Sequence, residues 1–334
     1  MTRAEIPGLQ APDPALEAEL RGRLDLVERA LEKAVVADYD LMTQAAGHLL
    51  RAGGKRFRPM LVVLSGYFGD PSDSRLVPGA VAIELTHVAT LYHDDVIDEA
   101  EFRHGVPSVN AQWSNSVAIV SGDYLFARAA ELASDLGTEV TRLLAKTIAT
   151  VCDGQVREVT NAGALDRDEA AYMDTIRRKT AALIATSCRL GGMLSDASPE
   201  HVEILDEFGA ALGMGFQLSD DIMDVISSET TLGKEPGVDM KEGVYTLPVL
   251  HALTEGPDRG ELRELLAPGP PEGERHARAL EIARADASLA HARAAVSHEV
   301  RRAVALAERL PDGSPRDALT HLARFVAERC GADA

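Results

Sequence analysis

Residues 79–99 read GAVAIELTHVATLYHDDVIDE. Small and apolar side chains run without proline from Gly79, just after Pro78, which suits the opening of a helix, so the spacing predicts a long helix packed closely against neighbouring helices. Three carboxylates, Asp94, Asp95 and Asp98, then follow a histidine where such a helix would otherwise stay dry. Residues four apart share a helix face, so Asp94 and Asp98 can hold an oxygen-seeking ion between them while Asp95 points about 100° away.

The pattern recurs once. FQLSDDIMD, residues 216–224, places Asp220, Asp221 and Asp224 at the same spacing beside apolar side chains. Carboxylates without histidine or cysteine ligand spacing favour a hard ion such as magnesium, which retains water and binds chiefly together with a phosphate. One triad alone reads more simply as an acidic helix exit. Two triads of equal spacing repel unless cations enter between them, which turns the reading toward a joint site for ions and a polyphosphate.

Basic residues supply the complementary charge. In RAGGKRFR, residues 51–58, Lys55, Arg56 and Arg58 follow two glycines that permit a close turn, so their cations can converge on a diphosphate. Arg103, Lys179 and Lys234 can neutralise a second one. Any one of these is ordinarily a solvated surface charge. His87 precedes Asp94 by about two helical turns and shares its face.

The bulk properties set limits around these motifs. The 334 residues are 46% apolar and only 4% aromatic, which predicts a substantial and mostly helical core. A formal charge of −19 argues against nucleic acid or an anionic membrane as the main partner, with local exceptions at 51–58 and at Arg177, Arg178 and Lys179. Cys152, Cys188 and Cys330 are odd in number and far apart, which suggests neither a disulfide framework nor a cysteine metal knuckle. The N-terminal stretch lacks a signal-type apolar core, and no apolar run is long enough to span a bilayer. The expectation is a cytoplasmic protein with at most peripheral membrane association.

Further helices are predicted over about 14–52 with a break near Asp38, from Pro59 through MLVVLSGYFG, and in SVAIVSGDYLFARAAELA. Others are predicted over 139–161, 167–192, 199–227, 245–254, 272–309 and 315–330. Ser198–Pro199 and Ser314–Pro315 have the composition of a cap followed by a first helical residue. The stretches RHGVPSVN, 228–243 and 267–274 read as loops. The domain expectation is one all-α unit over 1–334, with 1–14 a flexible arm and 256–334 a peripheral helical extension.

With these residues in view, the chain resembles the trans-isoprenyl diphosphate synthases, or polyprenyl synthetases. The matching elements, in order, are GGKRFRP, ELTHVATLYHDDVIDEAEFRHG, GDYLFA, DGQ, KTAALI, GMGFQLSDDIMD, GKEPGVDM and TLP. The resemblance implies an isoprenoid synthase-type helical bundle around a central active-site cavity, a homodimer, and magnesium-dependent coupling of isopentenyl diphosphate to an allylic diphosphate. Three ions are expected with substrate bound. It assigns metal binding to Asp94, Asp95, Asp98, Asp220, Asp221 and Asp224, with Asp94, Asp98 and Asp220 as direct ligands. Lys55, Arg58 and His87 are expected to grip isopentenyl diphosphate, Arg103, Lys179 and Lys234 the allylic diphosphate, and Thr180 and Gln217 to line the reacting end. Two positions depart from the pattern. His104 stands where many relatives carry a second arginine for isopentenyl diphosphate, and Val244 where many carry a lysine.

The resemblance also places a product tunnel along the helix before Asp94, where bulky residues stop growth in short-chain enzymes. Here the positions are Ala82, Thr86, Ala89 and Thr90, none of them aromatic, with Tyr124, Leu125, Phe126, Met173 and Ile176 as candidate walls. One helical turn, about 5.4 Å, matches roughly one isoprene unit, so the expected product is about C30 to C50. The alternatives are a C20 synthase, a terpene cyclase and a non-catalytic regulatory subunit.

Overall fold

The computed structural model describes residues 13–226 and 236–334. The expectation for the N-terminal arm falls largely, and that for Lys234 wholly, outside these residues. Helices dominate, and the only strands among the described residues are Phe102–Arg103 and Val106–Pro107. The chain forms two compact units. The first comprises residues up to Ile148 with Leu183–Gly209 and Leu306–His321, and the second Ala149–Ala182, Ala210–Ala305 and Leu322–Ala334.

In the first unit, α1 (Pro14–Ala34) begins where Asp13 accepts the Ala15 N–H at 2.9 Å, and it buries Leu16, Leu20, Leu24, Val27 and Leu31 at helical spacing. Short helices α2 (Asp40–Ala46) and α3 (His48–Ala52) lead to the glycine turn and α4 (Phe57–Ser65), which is buried from Pro59 to Ser65. The expected long helix is α5 (Leu76–Ile97), packed against α1, α4 and α7 (Asn115–Leu136). Because it meets neighbours on several sides, its apolar residues run almost continuously instead of forming one stripe.

The structure corrects several expected boundaries. α5 begins at Leu76, so Pro78 lies within its first turn. RHGVPSVN is not a plain loop. His104 (φ 53°) and Gly105 (φ 77°) form the left-handed pair that a tight hairpin turn requires, joining the two short strands ahead of α6 (Val109–Gln112). Ser314 is the first residue of the helix Ser314–Glu328, and its hydroxyl donates to Asp13 at 2.6 Å instead of capping that helix. Ser198 caps as expected, accepting the His201 N–H at 3.2 Å.

The second unit includes the later part of α8 (Thr138–Thr160) and α9 (Glu169–Ile176). The expected 167–192 helix is interrupted by a π-helical turn, Arg177–Ala181, before α10 (Ala182–Leu194). This unit also contains the C-terminal half of α11 (Pro199–Ile226). The expected 272–309 helix is two, Gly273–Ala283 and Asp286–Ala307, separated where the Arg284 side chain donates to the Val225 carbonyl at 2.7 Å. An additional helix spans Arg259–Leu266. No described helix is long and apolar enough to cross a membrane.

Candidate active site

At the end of α5, Asp94 is half-buried and Asp98 exposed, whereas Asp95 is fully buried. This is the outcome of the spacing: two carboxylates share one face and the third turns into the protein. Asp95 Oδ1 accepts from Arg103 Nε at 2.7 Å and Nη2 at 2.5 Å, and Asn110 Nδ2 donates to the Asp95 and Ala100 carbonyls. Burial pushes the Asp95 carboxyl up, with the Arg103 guanidinium opposing it. Arg103 is therefore tethered to the first triad.

Across the same unit, Lys55 is exposed and Arg58 half-buried. Arg58 Nη1 donates to His87 Nε2 at 3.1 Å, so this ring nitrogen is an acceptor and the imidazole is neutral. Burial, then Arg58, His104 and Arg103, hold the His87 pKa well below its ordinary value. His104 is exposed at the hairpin tip; partial desolvation by the surrounding protein, then Arg103 and Arg56, lower its pKa, while a hydrogen bond to the Gly53 backbone opposes the shift. Arg56 corrects the sequence reading: it is buried and bonded to Glu28 and Glu84 instead of joining the accessible cations.

A pH test follows from His87. The unfolded chain binds a proton near the ordinary value of 6.5, whereas the folded site resists it, so this group lowers stability as pH falls below that value. In urea unfolding between about pH 5 and 8, wild type minus His87→Gln should show that loss on the acid side. A pH-independent difference would contradict it.

The second triad has a different division of labour. Asp220 is half-buried and pairs with Arg329 Nη2 at 2.6 Å, and that guanidinium lies 5.3 Å from the Phe216 ring centroid. Asp224 is buried, its Oδ2 accepting the Asp239 N–H at 3.4 Å. Asp221 is buried with both oxygens engaged: one accepts from the Tyr172 hydroxyl and the other from Gln217 Nε2 at 2.7 Å. Gln217 Oε1 in turn accepts from Thr180 Oγ1 at 2.7 Å. Burial, chiefly, raises the Asp221 carboxyl well above the ordinary carboxylate range. The chain Tyr172–Asp221–Gln217–Thr180 fixes which way the Gln217 amide faces.

The π turn presents Lys179 and Thr180, and interruptions of this kind are frequent at functional sites. It packs closely on α8 because residue 154 is glycine; a Cβ there would lie 2.5 Å from the Lys179 backbone nitrogen. Lys179 Nζ pairs with Glu158 of α8. Arg177 and Arg178 are spent on Asp174 and Asp153 at the surface. Val244 is half-buried and brings no charge, its N–H donating to the Asp239 carbonyl at 2.8 Å. Sequence reading missed Glu158, Tyr172 and Arg329, whose partners are remote in sequence. Tyr172→Phe should leave an Asp221 oxygen buried and unpaired, at a cost of about 1–3 kcal/mol in urea unfolding; an unchanged midpoint would contradict the role.

The tunnel positions separate by burial. Ala82, Thr86 and Ala89 are buried, with Thr86 Oγ1 donating to the Ala82 carbonyl, whereas Thr90 retains accessible surface. Tyr124 donates its hydroxyl to the Val36 carbonyl at 2.8 Å. Among the described residues no three acidic, histidine or cysteine side chains converge closely enough to hold an ion unaided. The acidic oxygens suit a hard divalent cation that takes its remaining ligands from phosphate and water.

Comparison with known proteins gives the family. The sequence pattern of the polyprenyl synthetase family matches residues 39–283. The chain is 42% identical to nonaprenyl diphosphate synthase of Mycobacterium tuberculosis over 98% of each chain. It is 41% identical to heptaprenyl diphosphate synthase component 2 of Geobacillus stearothermophilus, over 94% of this chain and 98% of that one. A solved geranylgeranyl pyrophosphate synthase from Corynebacterium glutamicum, complexed with calcium and isoprenyl diphosphate, superposes with a TM-score of 0.86 at 41% identity, covering 97% of this chain and all of that one. The chain belongs to the polyprenyl synthetase family, with its isoprenoid synthase-type all-helical fold, and is a trans-prenyltransferase.

Proposed function

We propose that the protein condenses isopentenyl diphosphate head to tail onto an allylic diphosphate, repeatedly, giving an all-trans product of about C30 to C50 and releasing diphosphate. The observation that carries the length is the α5 stretch before Asp94: Ala82, Thr86, Ala89 and Thr90 are all small. The nonaprenyl and heptaprenyl relatives support it.

Asp94, Asp98 and Asp220 would be the direct ligands of magnesium, three ions with substrate bound, and Asp95, Asp221 and Asp224 would hold or orient those groups. When bound, magnesium offsets negative charge that develops on the departing diphosphate, stabilising the transition state more than the resting substrate. Lys179, Arg103 and Lys234 grip that same group. Lys55, Arg58, His87 and His104 hold isopentenyl diphosphate so that its double bond adds to the allylic cation. Thr180 Oγ1 and the oriented Gln217 amide present oxygen dipoles to that cation, and apolar walls exclude water. Proton loss, with the released diphosphate as acceptor, completes each cycle.

We also place the enzyme in the cytoplasm as a homodimer. Three free thiols fit a reducing compartment, and the exposed Ile119 and Val120 on α7 offer apolar surface for a second copy. A C20 product is the second reading, favoured by the Corynebacterium glutamicum synthase, which is as similar in sequence as the longer-chain relatives. Supplying magnesium, isopentenyl diphosphate and separate C5, C10, C15 and C20 starters, then sizing the products, decides between them. Exclusive accumulation of C20 would overturn the longer assignment, and turnover without isopentenyl diphosphate would overturn condensation itself.

A further inference from the structure

Arg56 stands in the middle of the basic motif, yet its guanidinium turns inward and is 7% exposed. Nε and Nη2 form a fork on Glu28 of α1 at 2.5 and 3.2 Å, and Nη1 donates to Glu84 Oε1 of α5 at 3.0 Å. Nη2 also donates to the Leu50 carbonyl at 2.9 Å. The backbone is bent to allow this. Arg56 is left-handed (φ 46°, ψ 37°), a conformation that is strained for a residue with a Cβ. A Cβ at Gly54 (φ 159°) would lie 2.7 Å from Arg56 Nη1, so the second glycine of the motif clears the space for the guanidinium.

The anion that receives Arg56 is itself unusual. Glu84 is 4% exposed. Burial raises its pKa, while Arg56 and then Arg58 pull it back, so one buried carboxylate feels both arginines of the motif. Glu84 lies one turn before His87, the acceptor of Arg58, on the same helix. α5 thus offers successive rungs, Glu84 to Arg56 and His87 to Arg58, that tie the loop down on either side of Phe57.

We propose that the Arg56–Glu84 pair, supported by Glu28, is the positioning element of the isopentenyl diphosphate half-site. It sets residues 53–58 so that Lys55 and Arg58 face the ligand, and Glu84 is the internal counter-ion that lets several cations sit together before a diphosphate arrives. Neither Arg56 nor Glu84 touches substrate. Removing Glu84 takes the buried anion from between the two arginines, and removing Arg56 deprives buried Glu84 of its hydrogen-bonded cation, so either change distorts the loop instead of merely deleting a contact. The inference rests on the proposed assignment of Lys55, Arg58 and His87 to isopentenyl diphosphate.

The test is steady-state kinetics on the full chain for wild type, Glu84→Gln, Arg56→Lys and Arg58→Gln, with KM measured separately for isopentenyl and allylic diphosphates. Glu84→Gln and Arg56→Lys are each expected to raise KM for isopentenyl diphosphate about tenfold, with kcat and the allylic KM within about twofold of wild type. Arg58→Gln should raise the same KM. If it does and the two positioning variants leave KM unchanged, the inference fails while the site assignment stands. If Arg58→Gln has no effect, the assignment fails and the inference with it. A proportional loss in kcat and both KM values would mark general damage and also overturn the inference. Should Glu84→Gln not fold, Arg56→Lys, which keeps a cation opposite both glutamates, decides alone.

Discussion

Asp94→Asn, and independently Asp220→Asn, should lower kcat by about a thousandfold, at saturating magnesium and both substrates, while leaving the urea midpoint nearly unchanged. The two halves of this expectation come from different observations. Asp94 and Asp220 are half-buried and retain accessible surface, so losing their charge removes little from the folded core. Their proposed task is nevertheless to hold the cations on which charge separation in the allylic diphosphate depends. Asp221→Asn should behave otherwise. Its oxygens are occupied by Tyr172 and Gln217, so it should disturb packing and Gln217 orientation together. Near-normal turnover in the Asp94 and Asp220 variants would remove those residues from the chemistry.

Thr90→Phe should shift the principal product from about C30–C50 to about C15–C20, because it sets a ring one helical turn before Asp94. Thr90 suits this test better than Ala89. It retains accessible surface, whereas Ala89 is fully buried and a ring there would overpack the core by about 1–3 kcal/mol. The Thr90 hydroxyl donates to the His87 carbonyl, a turn earlier, so its loss does not disrupt the acidic triad. Product sizing by chromatography with a C10 starter gives the result, and an unchanged distribution would take Thr90 out of the tunnel wall.

The helices that carry the site were legible because their signals are local. A proline near the start and an unbroken run of small and apolar residues define α5, and helical periodicity separates Asp95 from Asp94 and Asp98. Arg56 was misread for the opposite reason. Within the motif it resembles Lys55 and Arg58, and what turns it inward lies 28 residues away in each direction, at Glu28 and Glu84. Tyr172 and Asp221 are likewise 49 residues apart, so no local pattern announces their bond. The π turn at Arg177–Ala181 is a break in backbone register inside a sequence that reads as continuous helix. The hairpin at His104–Gly105 did carry a local signal, a turn-forming glycine after a residue that tolerates left-handed backbone, but two-residue strands are too short to show alternation.

The central claim is that both triads serve one leaving diphosphate through shared divalent ions. A crystal structure with magnesium and a non-ionisable allylic thiolodiphosphate tests it most directly. The account predicts carboxylate oxygens of Asp94, Asp98 and Asp220 at about 2.0–2.1 Å from ions that also contact the diphosphate. Ions bound to the diphosphate without these carboxylates, or triads opening onto unrelated surfaces, would contradict it.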